Sequence, residues 1–165
     1  MRRQLAMAGL VALAACAPRA VEAPAKSAEG CGVGSKGVVV ADGWVRAATA
    51  DRTVSAAYIA LCNASESDDA LVSVASPAAA SVEIHETVKN DMGIASMRQL
   101  PGTALPPGSW VRFSPGGMHL MLIGLLGPLK EGETTPVTLT FRSGAVVTAE
   151  IPVRAAPPGA PEHHH

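Results

Sequence analysis

The stretch GMHLML, Gly117 to Leu122, decides how the chain is read. As a strand it sends Met118, Leu120 and Leu122 to one face and His119 and Met121 to the other, because successive side chains alternate. One face is ordinary hydrophobic core. The other sets an imidazole beside a thioether. Outward from this stretch the same pattern recurs. VVVADGWVRAA, VSAAYIALCNA, ALVSVASP, SVEIHETV, IASMRQL, SWVRFSP, PVTLTF and AVVTAEIPV are short runs rich in β-branched residues. NASESDD, NDMG, PGTALPPG, SPGG, KEGETTP and RSG punctuate them. Short strands at such even spacing predict an all-β domain, an antiparallel β-sandwich or barrel. No sustained 3.6-residue apolar repeat predicts a long helix.

Composition supports a packed domain. Hydrophobic residues make up 48% of the 165 and charged residues 16%, so a core is expected. Aromatics are only 3%, which leaves Val, Leu, Ile and Ala to fill that core. The formal charge is -1 and no Lys/Arg run is present, which argues against a nucleic-acid surface. The domain is expected over residues 36–154, large enough to bury its own core. Residues 17–35, rich in Ala, Pro, Gly and Ser, read as a tether, and 155–165 as a flexible tail.

The first sixteen residues read as an export signal. MRRQ is a basic start, and LAMAGLVALAA is apolar but too short to span a membrane comfortably. Leu13-Ala14-Ala15-Cys16 resembles a bacterial lipoprotein processing site, with Cys16 the lipidated residue. The alternative is an ordinary cleaved signal ending at Ala12-Leu13-Ala14. Both export the chain, so a periplasmic protein is expected, attached to the membrane only through a lipid anchor. In an oxidising compartment the two remaining thiols, Cys31 and Cys62, are expected to pair, two separate thiols with one buried and inert being the alternative.

The placement of His and Met carries the chemistry. Outside the terminal His163, His164 and His165, the only histidines are His85 and His119. After the signal, every methionine (Met92, Met97, Met118 and Met121) lies between residues 92 and 121. In SVEIHETV, Val82 and Ile84 share one face, and Glu83 and His85 the other. His85 therefore lies off the core face, as His119 and Met121 do. The last two are roughly 7 Å apart along the strand, close enough to lean toward one ion. Met97 can approach from a neighbouring strand. Met118 is expected in the core and Met92 in a turn. Two imidazoles with two thioethers form a soft, neutral set that favours Cu(I) over calcium, magnesium or structural zinc. A blue-copper electron-transfer site needs a Cys beside its histidines, and the window contains none. Ordinary packing remains the alternative, because Met is a routine gap-filler.

Spacing adds a resemblance. His85 is followed by eleven residues, Met97, twenty-one residues, and then His119-Leu120-Met121. With DGWVRA, AAYIAL, VEIHETV, MRQLPG, SPGGMHLMLIGLLGPLKEGET and VTLTF, this resembles the PCuA(C)-type periplasmic copper chaperones across residues 36–153. The resemblance implies a cupredoxin-like fold binding one Cu(I) through His85, Met97, His119 and Met121. It further implies delivery to the copper subunit of cytochrome c oxidase, alongside a Sco-type thiol protein. One departure is Glu86, which stands where the family often has a Met after the first His. His163, His164 and His165 are expected to form an accessory Cu(II) site, a neutral tail being the alternative.

The chain is expected to be a monomeric carrier, not an enzyme. A saturated four-ligand set leaves no open position for substrate, and no acid/base pair accompanies it. The competing readings are a copper-scavenging or tolerance protein of the envelope, and a structural β-sandwich lipoprotein with an incidental Met-rich patch.

Overall fold

In a computed structural model the chain forms ten strands: β1 Val38–Arg46, β2 Val54–Asn63, β3 Asp69–Ala75, β4 Ala79–Lys89, β5 Ala95–Leu100, β6 Thr103–Leu105, β7 Trp110–Arg112, β8 Met118–Leu125, β9 Thr134–Phe141 and β10 Val146–Arg154. The structure describes Cys31 and residues 37–155. The signal segment with Cys16, most of the tether, and the tail with His163, His164 and His165 lie outside the described residues. Among the described residues there is no helix.

Seven strands close a barrel in the order β4-β8-β2-β1-β10-β9-β3, and β3 returns to β4 at Val74↔Val82. Strands β5, β6 and β7 add to the outside of this ring, on β4, β3 and β2. The expected antiparallel pairing holds at every junction of the ring except one. β1 and β10 run parallel, with Val45 opposite Val153. These strands begin and end the domain, so no hairpin has to join them, and parallel pairing costs the chain no crossover here.

The barrel interior is aliphatic, as the composition requires. Ile59, Leu61, Leu71, Leu105, Leu120, Leu122, Val137, Leu139 and Phe141 are almost fully buried. Alternation delivers them: β9 buries Thr135, Val137, Leu139 and Phe141 and leaves the residues between more accessible. Each buried Leu or Val contributes about 1.5–3 kcal/mol through removal of apolar surface from water.

Two local features depart from simple alternation. The first is β6, which the sequence reading assigned to the connection PGTALPPG. Ala104 pairs with Ala70 and Asp69 with Leu105, and Leu105 is sealed into the core. The buried Asn63 amide donates to the Leu105 carbonyl at 2.8 Å, which fixes the segment where three residues of ladder alone are short. The second is a bulge in β1. Register shifts between Ala41 and Trp44, and Asp42 takes φ 50°. One extra residue flips the strand's parity. Before the bulge Val38 and Val40 pack against the core; after it Val45 does, and Trp44 turns to the outer face.

Candidate metal centre

The outer face of β1, β2, β8 and β4 carries a continuous row of rings. Trp44 lies 4.6 Å from Tyr58 between centroids, Tyr58 lies 6.5 Å from His119, and His119 lies 5.9 Å from His85. Register explains the row. Trp44 pairs with Tyr58 and His85 with His119, so the rings share a level across adjacent strands. The bulge at Asp42 is what brings Trp44 into it.

His119 points away from Leu120 and the barrel core, as parity predicts, yet it is only 5% exposed. The flanking rings cover it. Its Nδ1–H donates to the Gly117 carbonyl at 3.1 Å. A carbonyl only accepts, so the proton sits on Nδ1 and Nε2 keeps a free lone pair. Met121 is half-buried two residues along the same face. Met97 sits on the outermost strand β5, opposite Thr87, and is 63% exposed. Thr87 shares a face of β4 with His85. His119, Met121 and Met97 line one open cavity of about 950 Å³, with Arg46, Arg52, Val54, Leu129 and Lys130 among its other walls.

His85 is next to His119 but is not among the residues lining this cavity. Its Nε2 is 2.8 Å from Glu83 Oε2, and its Nδ1 is buried with no hydrogen-bond partner among the described residues. Glu83 faces Met121 across the β4–β8 ladder. Sequence parity already set Glu83 on the face of His85, but only the folded register shows its carboxylate bonded to that ring.

The donor set suits a soft monovalent cation. Two imidazoles sharing one ion have centroids about 5–6 Å apart when each nitrogen is about 2.0 Å from it, and these two rings lie in that range. Among the described residues no three His, Cys, Asp or Glu cluster as a hard or thiolate site. The other soft donors on this face are the thioethers of Met121 and Met97. All four sequence-predicted residues therefore reach one face of the barrel.

The other methionines fall elsewhere. Met118 packs against the core, where its sulfur accepts from Thr103 Oγ1 at 3.6 Å. Met92 is 79% exposed in a turn held by the Asn90 side chain. Glu86 lies on the opposite face of β4 from His85 and pairs with Arg98 at 2.8 Å. A Met at that position would point away from this face. Cys31 is paired with Cys62, their Cα atoms 6.0 Å apart and within disulfide range, and Cys62 is fully buried on β2. The pair lies away from the row of rings.

Known proteins share this fold. A family described as "Putative lipoprotein LpqE-like" matches residues 38–153. A protein of Leifsonia xyli subsp. xyli named "Putative lipoprotein Lxx21020" is 33% identical over 93% of this chain and 89% of its own length. Among solved structures, the copper-bound PCuAC domain from PmoF2 is 26% identical with a TM-score of 0.61, covering 72% of this chain and 93% of that domain. The Cu(I) form of DR1885 from Deinococcus radiodurans is 30% identical with a TM-score of 0.58, covering 73% and 80%. The match over residues 38–153, the full-length relative and the shared barrel together show that this chain belongs to the LpqE-like family and carries a PCuAC-type domain.

Proposed function

We propose that the chain is an exported copper(I) carrier that holds one Cu(I) through His85, Met97, His119 and Met121. The observation that carries this reading is the convergence of both domain histidines and two thioethers on one face, beside an open cavity. Copper-bound structural relatives of the same domain type support it. Thioethers suit an oxidising compartment, since they bind Cu(I) without an oxidisable thiolate and need no deprotonation. The open cavity gives a partner access to the ion.

The carrier acts as a lipid-anchored monomer, with Cys16 the acylated residue. The lipoprotein naming of the family and of the Leifsonia relative supports this. Its cargo passes toward the binuclear copper site of cytochrome c oxidase, in company with a Sco-type thiol protein. It moves the ion rather than catalysing a reaction, because a four-ligand set leaves no vacant position for substrate. The terminal His163–His165 tract serves as an accessory Cu(II) site.

Titration of Cu(I) against a chromophoric competitor tests the carrier reading. One equivalent bound tightly by the wild type, with affinity sharply reduced in His119→Ala and Met121→Ala, is expected. Unchanged affinity in both variants would overturn the four-ligand site. Copper transfer to the isolated copper domain of the oxidase tests the recipient.

A further inference from the structure

We propose that Glu83 is a positioning residue that fixes the tautomer of His85, so that His85 meets the ion through Nδ1 while His119 meets it through Nε2. This rests on the copper reading above and goes beyond it by fixing which nitrogen of each ring is the ligand.

The two rings are held by opposite nitrogens. At His119 the Gly117 carbonyl takes the Nδ1 proton and leaves Nε2 free. At His85 the Glu83 carboxylate faces Nε2 at 2.8 Å. A carboxylate has only acceptor lone pairs, so a bare Nε2 lone pair there would be repelled. The proton belongs on Nε2, and the lone pair moves to Nδ1. That atom is buried and has no hydrogen-bond partner among the described residues. Placing a proton on it instead would bury an N–H with no acceptor. An unmet buried polar atom costs about 1–3 kcal/mol, and natural proteins rarely leave one without a use. A cation at Nδ1 would satisfy it.

The surroundings fit this role. His85 and His119 are directly opposed in the β4–β8 register, with ring centroids 5.9 Å apart. Glu83 is opposed to Met121, so it lies on the ligand-bearing face, bonded to the His85 ring and not among the residues lining the cavity. A carboxylate accepting from the far nitrogen of a metal-bound imidazole orients the ring and raises its basicity. Glu83 is about one-third exposed, so its replacement leaves the barrel core intact.

The test uses the 15N-labelled full chain. In the apo protein, ring nitrogen spectra are expected to show His85 protonated at Nε2. Glu83→Gln still allows this tautomer, because the carboxamide oxygen can accept the same bond, but enforces it less, because its NH2 can donate to a bare Nε2; Glu83→Ala loses the bond altogether. Silver(I), a diamagnetic stand-in for Cu(I) with the same charge, then reports the ligand atoms by direct nitrogen–silver coupling. Coupling is expected at His85 Nδ1 and His119 Nε2. Cu(I) affinity should fall about 10–100-fold in Glu83→Ala and be partly restored in Glu83→Gln. Silver coupling at His85 Nε2, or a tautomer and affinity unchanged in Glu83→Ala, would overturn the proposal while leaving the copper reading in place. A wild-type chain that binds no silver and no Cu(I) would remove both.

Discussion

The two faces of β8 differ in kind although their residues alternate one by one. Leu120 and Leu122 are completely buried in an aliphatic interior that any well-packed hydrophobic set of similar volume would satisfy. His119, between Tyr58 and His85, is nearly as buried, yet it is surrounded by rings and a backbone carbonyl. Burial alone would class both faces as core. The difference lies in the lone pairs, since one face has none to offer and the other holds two imidazoles, each with a nitrogen left unengaged among the described residues. The inner face holds the fold together, and the outer face stores an unmet coordination demand.

Substitutions that separate the faces break or sharpen this comparison. Leu120→Ala should cost the most stability, about 2–5 kcal/mol in urea denaturation, because it opens a cavity where β8 meets the barrel interior. Its folded fraction should still bind Cu(I). Asp69→Ala comes next and touches neither face. Burial raises the Asp69 carboxyl pKa, but hydrogen bonds from Ser143 Oγ and from the Ala70 and Ser143 N–H groups, with Arg142 nearby, outweigh it and leave the pKa below the ordinary value. A lowered folded pKa stabilises the protein above the unfolded carboxyl pKa of about 3.9, and that contribution is lost as pH falls through the folded value. The variant should lose about 1–3 kcal/mol at neutral pH. The gap from wild type should narrow in acid below about pH 4. Met97→Ala, on an exposed edge strand, should move stability by no more than about 0.5 kcal/mol while weakening Cu(I) binding less than His119→Ala does. A Met97 variant with full copper affinity would reduce the site to three ligands.

How much of this was legible in the sequence follows from how local each signal is. The two faces of β8 were readable, because alternation is a property of consecutive residues, and the same holds for Val82 and Ile84 against Glu83 and His85. The strand β6 was not, because Thr103–Leu105 owes its conformation to pairing with β3 and to the Asn63 amide, both distant in sequence. The bulge at Asp42 was hidden inside a run that otherwise reads as one strand. With it went the row from Trp44 through Tyr58 and His119 to His85, which depends on register between four strands. The parallel pairing of β1 with β10 was likewise invisible, since nothing within either strand marks its partner. Glu83 was placed on the right face by parity, but its bond to His85 is a matter of rotamers that a linear pattern does not carry.

Copper-linked melting tests the separation of the two faces most directly. A ligand that binds only the folded state stabilises it by about 2.7 kcal/mol when present at a hundred times its Kd. Cu(I), delivered under reducing conditions, should raise the melting temperature of the wild type and of Leu120→Ala, although the latter starts lower. His119→Ala should also start below the wild type, because it removes a buried ring along with its hydrogen bond to Gly117, and should gain almost nothing from the metal. An equal Cu(I)-induced rise in His119→Ala and the wild type would contradict the account.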